Sequence, residues 1–448
     1  MDLQGKKVLV FGSGISGEAA AGLLAERGAQ VVLYDGNEKL DRAAVAGRVP
    51  GGTQIVLGEF PEALLDGLDL VVMSPGVPTD LPVVVRMREK SIPVWGEIEL
   101  AYACAKGDVL AITGTNGKTT TTTLLGEIMR GAADSVFVVG NIGTPYTGIA
   151  SDTREDSVTV AEVSSFQLET VHSFRPKVSA ILNITPDHLN RHHTMEAYIA
   201  AKERIAENQT EDDYCVLNYE DEVLREFGRD IRPQVLYFSS RRKLKRGVWM
   251  DGDRIVCGIG EETVICTTGE LQILGVHNYE NVMAAVAMAG AYGVPADVIR
   301  RVVTSFKGVE HRIEFVAEKN GVAFYNDSKG TNPDAAIRGI RAMNRPTVLI
   351  GGGYDKDSAY DEWIRAFDGR VKKLVLIGAT REKIAETARK LGFTDIVMAD
   401  SFEEAFEKCT EYAEPGDAVL LSPACASWGM FKNYEERGDK FKELVEQL

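Results

Sequence analysis

Short runs of β-branched and other apolar residues alternate along the chain with amphipathic stretches of helical length. This alternation is typical of sheets flanked by helices, so it predicts an α/β fold with mostly parallel sheets. The apolar runs fall into three blocks, which predict three domains at residues 1–96, 97–308 and 309–448. Within the second block, residues 248–274 form short strand-like runs separated by Asp-Gly, Gly-Glu and Thr-Gly pairs, and we expect an antiparallel excursion there.

Polar and glycine-rich segments follow the predicted strands directly in every block. They comprise residues 74–76, 114–119, 164–165, 187–188, 327–329, 351–353 and 422–423. Open α/β sheets bind their ligands in the crevice outside the carboxyl ends of the strands. We therefore expect the ligand-binding residues of all three domains at those edges.

The composition limits the partners of the protein. With a net charge of −16 over 448 residues, the chain is unsuited to bind nucleic acid or an anionic membrane surface as its main partner. Its six cysteines include no Cys-x-x-Cys pair, and no apolar run approaches the roughly 20 residues that span a bilayer. These features predict a cytoplasmic protein without a membrane span, which must hold anionic ligands with local groups.

A first glycine loop lies near the start of the chain. Gly12, Gly14 and Gly17 follow a predicted strand and open a helix, and Asp35 ends the next strand. Such loops bring backbone N–H groups close to a pyrophosphate at a helix N-terminus. The loop therefore fits a nicotinamide dinucleotide and a UDP-linked substrate equally well, and a glycine turn without any ligand is the third interpretation.

A second loop, residues 114–119 with the sequence GTNGKT, also joins a predicted strand to a helix. A strict P-loop has one more glycine, at the position of Ile112, so this loop is a shortened form. Its backbone N–H groups can hold phosphates, while Lys118 neutralises their oxygens and the Thr119 hydroxyl reaches Mg²⁺. The alternative is a threonine-rich helix start without a ligand, which does not explain the Gly-Lys-Thr sequence.

Two further residues favour phosphoryl transfer. Glu162 ends one predicted strand and His188 follows another, and we expect both strands to neighbour the strand before Lys118. A carboxylate is a common Mg²⁺ ligand beside substrate phosphates, which suits Glu162. The competing interpretations are a buried, paired glutamate and a packed or capping histidine. The adjacent His192 and His193 lack the spacing of a helical zinc site, so we expect both at the surface.

Several motifs occur in the order and spacing typical of one enzyme family. They are SPGV, GTNGKTT, GNIG, EVSSFQLE, DHLNRH and HNYENVMAA in the first two blocks, and HRIEF, NDSKGTN, GGGYDK and SPACASWGMFKNYEERGDKF in the third. Over essentially its whole length the chain resembles the Mur ligases of peptidoglycan precursor synthesis. The resemblance implies a Rossmann-like N-terminal domain, a P-loop-type central ATPase domain and a Rossmann-like C-terminal domain.

The front glycine loop and the ending of the chain are most similar to the branch of this family that adds D-glutamate to UDP-N-acetylmuramoyl-L-alanine. The branch that adds L-alanine shares the Rossmann-like start and is the alternative. The resemblance implies an ADP-forming ligase that acts through an acyl phosphate, uses ATP with two Mg²⁺ ions, and works as a monomer on these small molecules.

The resemblance also assigns residues to each ligand. The catalytic set would be Lys118, Glu162, His188, Lys202 and Lys329, and the metal ligands would be Thr119, Glu162, His188 and Lys202. ATP would contact Gly114, Thr115, Asn116, Gly117, Lys118, Thr119, Thr120, Asn278, Asn281, Arg312 and Asp327. The UDP-linked substrate would contact Gly14, Ser16, Asp35, Ser74, Gly76, Asn141 and His188. D-Glutamate would contact Thr331, Lys356, Ser427 and Tyr434.

Lys202 raises a chemical difficulty, because an ammonium group cannot bind Mg²⁺. From the residues alone it is an ordinary lysine on the surface of a helix, one turn after Tyr198. The resemblance implies that CO₂ converts its amine to a carbamate, a two-oxygen anion able to reach the second ion. The chain departs from the family pattern at Asn37, near the expected uracil, and at Trp428 and Tyr434, near the expected amino-acid pocket.

Three other activities stay open at this point. A nicotinamide-dependent dehydrogenase would use the first loop and leave GTNGKTT unexplained. A non-catalytic UDP-sugar-binding protein would leave Glu162, His188 and the NDSK segment unused. A folate polyglutamate ligase would share the ATP loop but has no use for the first block.

Overall fold

The computed structural model describes residues 2–141 and 143–448 as an α/β protein with mostly parallel strands. Contacts divide the chain into two compact units, one of Met1–Ile265 with Glu280–Val302 and the other of Cys266–Tyr279 with Val303–Leu448. Three sheets, of five, nine and six strands, form three domains, and the six-stranded sheet lies wholly in the second unit. The domain boundaries after residues 96 and 308 stay a prediction. Within the described ranges, no helix has the length and apolar character needed to cross a bilayer.

The N-terminal sheet has five parallel strands. They are β1 (Lys7–Phe11), β2 (Gln30–Asp35), β3 (Gln54–Leu57), β4 (Leu70–Met73) and β5 (Val94–Gly96). The helices of this domain are α1 (Ile15–Glu26), α2 (Arg42–Ala46) and α3 (Pro82–Glu89), with a 3₁₀ turn at Glu62–Leu65. The order β3-β2-β1-β4-β5 places β1 where the direction of winding reverses. The glycine loop after β1 therefore lies at the switch point, where such sheets bind ligands.

Two glycines shape the turn after β1. Gly12 has a φ of 105°, a left-handed conformation that favours glycine, and the Ser74 hydroxyl donates to its carbonyl oxygen over 3.3 Å. A Cβ added to Gly17, in α1, would fall on that same carbonyl oxygen. A Cβ added to Gly14 would meet nothing within 4 Å. Backbone conformation and packing thus require glycine at Gly12 and Gly17, whereas Gly14 is open toward solvent.

The central sheet has nine strands, entered through helix α4 (Glu97–Cys104). They are β6 (Asp108–Thr113), β7 (Val136–Gly140), β8 (Val158–Glu162), β9 (Val178–Ile181), β10 (Tyr214–Asn218), β11 (Gln234–Ser239), β12 (Gly247–Asp251), β13 (Arg254–Cys257) and β14 (Thr263–Thr267). Their order is β14-β13-β12-β11-β10-β9-β6-β8-β7. The pairing of β12 with β13 is antiparallel, which confirms the expected excursion.

Between β6 and β15 the described part of the chain forms seven helices and four 3₁₀ turns. The helices are α5 (Lys118–Arg130), α6 (Ser165–Leu168), α7 (Leu189–His192), α8 (Met195–Glu203), α9 (Glu222–Phe227), α10 (Val276–Tyr292) and α11 (Ala296–Ser305). The turns are Tyr146–Gly148, Ala150–Asp152, Arg204–Ala206 and Thr268–Glu270. Helices on both faces bury a parallel strand completely, and every residue of β8 is buried. That burial includes the charged residue Glu162, which is 1% exposed.

The C-terminal sheet has six strands. They are β15 (Glu314–Lys319), β16 (Val322–Asn326), β17 (Thr347–Gly352), β18 (Val371–Ile377), β19 (Ile396–Met398) and β20 (Ala418–Leu421). The helices are α12 (Pro333–Ala342), α13 (Asp361–Arg365), α14 (Arg381–Lys390), α15 (Phe402–Tyr412) and α16 (Tyr434–Glu446). In the order β15-β16-β20-β17-β18-β19, the last strand of the chain lies between β16 and β17. The three polar segments that follow β16, β17 and β20 are therefore neighbours.

We expect Gly17→Ala to destabilise the protein by about 2 kcal/mol, because the new methyl group would overlap a backbone carbonyl in a tight turn. Gly22→Ala, in the same helix, is the matched control, since a Cβ there meets nothing within 4 Å. It should be neutral or stabilising by about 1 kcal/mol, because alanine is the better helix former. Thermal unfolding of both variants measures the difference, and equal stability would contradict the steric interpretation.

Candidate active site

The shortened P-loop joins β6 to α5, as the sequence predicts. Lys118 is the first residue of α5, and Gly117 before it is left-handed with a φ of 85°. The Lys118 ammonium donates to the carbonyl oxygens of Gly114 at 2.9 Å and Thr115 at 3.0 Å. The loop therefore curls around a positive charge at a helix N-terminus, an arrangement that attracts anions.

The strands on both sides of β6 end at the expected residues. β8 pairs with β6 and ends at Glu162, while β9 pairs with β6 on its other side and precedes His188. The prediction that these strands are neighbours is thus confirmed. Glu162 accepts a hydrogen bond from Asn141 Nδ2 through Oε1, at 3.0 Å. Its Oε2 is buried and has no hydrogen-bond partner among the described residues.

The Glu162 carboxylate shows whether this edge of the sheet suits Mg²⁺. A buried polar atom without a partner costs about 1–3 kcal/mol, and more when it is charged. A hard cation that prefers oxygen ligands would remove this cost. The Thr119 hydroxyl, in the first turn of α5 after the adjacent strand, is a second oxygen donor of the right type. The donor set therefore fits Mg²⁺.

His188 lies at the same sheet edge with its ring accessible. It precedes α7 with a φ of 53°, and its side chain is half exposed. The ring centroid is 4.9 Å from that of Phe166, and Nε2 is 3.5 Å from Asp187 Oδ2. Phe166 and Asp187 thus orient the imidazole, and solvent can still reach it.

Lys202 is buried, so the interpretation of this residue as an ordinary surface lysine is wrong. Its side chain reaches back from α8, and Nζ donates to the Gly114 carbonyl oxygen at 2.8 Å, the oxygen that Lys118 also contacts. The same ammonium lies 4.7 Å from the centre of the Tyr198 ring. Burial, and then the charge of Lys118, lower the pKa of Lys202 to about 7.

Two residues that the sequence reasoning missed brace the loop. The Asn183 side chain accepts a hydrogen bond from Asn116 N at 2.9 Å and donates to the Asn116 carbonyl oxygen at 3.1 Å. The Tyr198 hydroxyl is 2.9 Å from the Thr115 hydroxyl. Asn183 lies two residues after the end of β9, and its position after a strand that neighbours the loop was the available signal. Nothing comparable in the sequence pointed to Tyr198.

The two predicted ATP-binding asparagines of α10 fall in different units. A Cβ added to Gly117 would collide with Asn281 Oδ1, so the Asn281 side chain packs against the loop. Asn278 belongs to the second unit, where its Nδ2 donates to the Leu274 carbonyl oxygen at 2.8 Å. The structure therefore brings Asn281 to the phosphate loop within the first unit.

Five of the seven residues predicted for the UDP-linked substrate lie around the switch point of the first sheet, whereas Asn141 and His188 belong to the central domain. Asp35 Oδ2 accepts hydrogen bonds from Ser13 N at 2.9 Å and from the Ser13 hydroxyl at 2.7 Å. Burial opposes ionisation, but these bonds and one from Asn37 N lower the pKa of Asp35 below its usual value. Asp35 is an ionised carboxylate that holds the loop, and its contact with a ligand stays a prediction. The other predicted residues on β1, β4 and α1 or their adjoining loops are Gly14, Ser16, Ser74 and Gly76.

Glu169 connects the N-terminal domain with the segment that forms α7. Its Oε2 accepts hydrogen bonds from the Arg191 guanidinium at 2.8 Å and from the Thr79 hydroxyl at 3.1 Å, and its Oε1 is 3.4 Å from His192 Nδ1. Arg191 also donates to the Val77 carbonyl oxygen at 2.9 Å. One carboxylate therefore ties the loop after β4 to the short helix beside His188.

The expectation that His192 lies at the surface is wrong. His192 is 6% exposed, its Nε2 is 2.9 Å from the Ser165 hydroxyl, and its ring is 5.3 Å from that of Tyr198. Burial lowers the pKa of His192 below its usual value. His193 is exposed as expected, 3.3 Å from Asp80. The two histidines differ in exposure because His192, at the end of α7, packs against Ser165 of α6 and Tyr198 of α8.

In the second unit the segments after β16 and β20 meet at Asp327. The Ser422 hydroxyl donates to Asp327 Oδ2 at 2.7 Å, and Ile313 N donates to Oδ1 at 3.3 Å. Burial raises the pKa of Asp327 to about 7, against the opposing effects of Ser422 and Arg312. Protein groups enclose this carboxylate, so its contact with ATP stays a prediction.

The residues predicted for D-glutamate share one edge of the C-terminal sheet. They are Thr331, Lys356, Ser427 and Tyr434, after β16, after β17, after β20 and at the start of α16. Lys329 Nζ lies 5.3 Å from the centre of the Tyr434 ring, and Lys356 Nζ lies 4.7 Å from that of Trp428. Burial raises the pKa of Tyr434 to about 12. The edge thus presents two ammonium groups held over aromatic rings, which suits an anionic ligand.

Arg437 is a buried cation that the sequence reasoning missed. It is 1% exposed, and burial lowers its pKa to about 10. Its guanidinium donates to the Ser328 hydroxyl at 3.0 Å, to the Ser328 carbonyl oxygen at 2.8 Å and to the Cys425 carbonyl oxygen at 3.2 Å. These bonds hold the backbone next to Lys329 and near Ser427. The highly charged segment around Arg437 gave no sign that this residue is enclosed.

Comparison with known proteins identifies the family. Three family models match the chain: Mur ligase MurD-like, N-terminal domain at residues 6–96, Mur ligase middle domain at 112–289, and Mur ligase, glutamate ligase domain at 311–425. A UDP-N-acetylmuramoylalanine--D-glutamate ligase of Lachnoclostridium phytofermentans is 58% identical, over 100% of this chain and 99% of the relative. The chain belongs to the Mur ligase family. A relative of the same name from Lachnospira eligens is 57% identical to this Mur ligase over 100% of both chains.

Solved structures of Mur ligases share the fold. The UDP-N-acetylmuramate-alanine ligase of Thermotoga maritima superposes with a TM-score of 0.59 at 20% identity, covering 98% of this Mur ligase and 99% of that chain. The MurF ligase of the same organism, in complex with ADP, gives a TM-score of 0.58 at 18% identity, covering 100% and 99% of the two chains. At these identities the likeness concerns the fold alone.

We expect Glu169→Gln to lower the free energy of unfolding by about 1–3 kcal/mol, because it leaves the nearly buried Arg191 guanidinium without a charged partner. Glu196→Gln, on the exposed face of α8, is the control and should change stability by less than about 0.5 kcal/mol. Urea unfolding compares the two, and equal stability would show that the Glu169 contacts are not stabilising.

The depressed pKa of Lys202 predicts a pH dependence of stability. Between the folded pKa of about 7 and an unfolded pKa near 10.4, the unfolded chain binds more protons, so stability rises with pH. In CO₂-free buffer, Lys202→Met should be more stable than the wild type at pH 6.5, and this advantage should shrink by up to about 1.4 kcal/mol per pH unit above pH 7. Denaturant melts from pH 6.5 to 9 measure it, with Lys106→Met as the exposed control. A difference that is constant with pH would contradict the shifted pKa.

Proposed function

We propose that this Mur ligase joins D-glutamate to UDP-N-acetylmuramoyl-L-alanine in an ATP-dependent, ADP-forming reaction of peptidoglycan precursor synthesis. The observation that carries the proposal is the pairing of β6 with β8. This pairing puts Glu162 Oε2, which has no hydrogen-bond partner among the described residues, at the same sheet edge as the loop that contains Lys118. The names of relatives at 58% and 57% identity support D-glutamate as the amino acid. L-Alanine is not favoured, because both of these relatives match over 100% of this chain and are named as D-glutamate ligases.

The reaction must first activate a carboxylate, because oxide is too poor a leaving group for direct amide formation. The terminal carboxylate of the UDP-linked substrate attacks the γ-phosphoryl group of ATP, and ADP leaves. The amine of D-glutamate then adds to the acyl phosphate, and the tetrahedral species expels phosphate while the nitrogen loses a proton. The products are the amide, ADP, phosphate and a proton. The protein contributes mostly positioning and charge neutralisation.

The first unit supplies the groups for the phosphates. Lys118 binds their oxygens, and Thr119 with Glu162 holds Mg²⁺, which when bound neutralises phosphate charge. His188 and the carbamate of Lys202 hold a second ion. A pKa of about 7 leaves a large share of Lys202 as the neutral amine at physiological pH, and the neutral amine is the form that reacts with CO₂. This property supports the assignment of a carbamate to Lys202.

The remaining assignments complete the proposal. ATP is also bound by Gly114, Thr115, Asn116, Gly117, Thr120, Asn278, Asn281, Arg312 and Asp327, with Lys329 near the reacting phosphate. The UDP-linked substrate is bound by Gly14, Ser16, Asp35, Ser74, Gly76, Asn141 and His188. D-Glutamate is bound by Thr331, Lys356, Ser427 and Tyr434, where an ammonium group and hydroxyls suit two carboxylates. We place the reaction in the cytoplasm, where ATP is available, and propose that the enzyme acts as a monomer.

The test is ADP release by the purified protein with Mg²⁺, bicarbonate, UDP-N-acetylmuramoyl-L-alanine and one of D-glutamate, L-glutamate or L-alanine. We expect turnover only with the UDP-linked substrate and D-glutamate together. Lys118→Ala should lower turnover by about 100-fold or more, because it removes a preorganised charge from the phosphates. The control Lys106→Ala, at an exposed lysine that pairs with Glu155, should leave turnover unchanged. ADP release that is independent of D-glutamate, or that favours L-alanine, would refute the proposal.

A further inference from the structure

The loops that follow β17 and β20, together with α14, carry a group of charged and aromatic side chains around Lys356. We refer to this group as the Lys356 cluster. Its members are Tyr354, Asp355, Lys356, Asp357, Lys383 and Trp428. All of them lie in the second unit.

A backbone bridge joins the two loops of the Lys356 cluster. Tyr354 N donates to the Ala426 carbonyl oxygen at 2.9 Å, and the two residues form an isolated antiparallel bridge. Above the bridge the rings of Tyr354 and Trp428 meet edge to face with their centroids 5.5 Å apart. Trp428 is 52% exposed and Tyr354 is 45% exposed. The protein thus keeps an aromatic pair at its surface beside Ser427.

The Lys356 ammonium rests on this aromatic pair. Its Nζ lies 4.7 Å from the centre of the Trp428 ring. Lys356 stands between two aspartates in the sequence, yet it forms no ion pair with a carboxylate in the described part of the chain. The ring face holds the cation without neutralising its charge, because it offers a quadrupole and no formal negative charge.

Lys383 explains why the neighbouring aspartates do not capture Lys356. From α14, Lys383 Nζ donates to both carboxylate oxygens of Asp355 at 3.3 Å and to Asp357 Oδ1 at 3.4 Å. One ammonium group therefore engages both aspartates that flank Lys356. These two carboxylates would otherwise compete for Lys356 and repel an anionic ligand.

We propose that Trp428 and Lys383 are positioning residues for the amino-acid substrate. Trp428 holds the Lys356 ammonium in place through its ring face, and Lys383 withholds Asp355 and Asp357, so that Lys356 is available to a carboxylate of D-glutamate. The inference rests on the proposed function, since it deepens the assignment of Lys356 to the D-glutamate pocket. Neither residue needs to touch the substrate.

The role of Trp428 is tested by steady-state kinetics of Trp428→Leu and Trp428→Phe. Trp428→Leu keeps an apolar side chain without a ring, and it should raise KM for D-glutamate about two- to fivefold. Trp428→Phe retains a weaker ring face and should raise this KM less. In both variants kcat and the KM values for ATP and the UDP-linked substrate should stay unchanged. An unchanged KM for D-glutamate in Trp428→Leu, or a parallel change in all parameters, would overturn the role of Trp428.

The role of Lys383 is tested by removing it and then removing the aspartates that it engages. Lys383→Met should raise KM for D-glutamate about two- to fivefold, and the effect should diminish at high salt because these charges are exposed. Adding Asp355→Asn and Asp357→Asn should restore KM. The charge-matched control adds Asp361→Asn and Glu386→Gln instead, and KM should stay raised.

Two outcomes would overturn the role of Lys383. The first is an unchanged KM in Lys383→Met, and the second is equal restoration by the control pair, which would show that only net charge matters. Wild-type turnover that does not depend on D-glutamate would overturn the proposed function together with this inference. Wild-type dependence on D-glutamate with unaltered KM in the variants would overturn the inference alone.

Discussion

The backbone pairing of β6 with β8 on one side and with β9 on the other is the constraint on which the candidate site depends. The register places Ile112 level with Glu162 and Thr113 level with Ile181. Because the three strands are parallel, their carboxyl ends meet at one edge of the sheet. The phosphate loop, the open Glu162 oxygen and the His188 segment therefore arise from one ladder of backbone hydrogen bonds. The side chains add chemistry to an arrangement that the main chain has already set.

Buried positive charge is the second organising feature, in a chain whose net charge is −16. Lys118 and Lys202 both reach the Gly114 carbonyl oxygen, and the hydrogen bonds described for Arg437 all go to neutral oxygens. Burial of a cation costs stability, and the lowered pKa values of Lys202 and Arg437 express that cost. The same groups give an acidic protein local positive fields for anionic ligands. At the surface of the second unit, Lys356 also provides a local positive charge, because the aromatic ring on which it rests does not neutralise it.

Much of the fold and the outline of the site could be predicted from the chain. Strand-forming runs alternate with amphipathic segments, so the α/β class and the three blocks follow from local periodicity. Glycine and polar residues directly after strands indicated which edge of each sheet carries the chemistry, and the order of the motifs indicated the family. These signals are local or depend on spacing along the chain, so a single sequence is sufficient to detect them.

The burial and partners of single side chains were decided by the tertiary structure. Lys202 looks like a surface lysine within its own helix, and it is enclosed only because α8 packs against the loop after β6. His192 and His193 are adjacent in the sequence, yet only His192 packs against Ser165 and Tyr198. Asp327 is enclosed because β20, nearly a hundred residues later, brings Ser422 to it. The sequence by itself determined the elements, their edges and the residue types. Only long-range packing decided which charges are buried, because burial depends on neighbours that local periodicity does not identify.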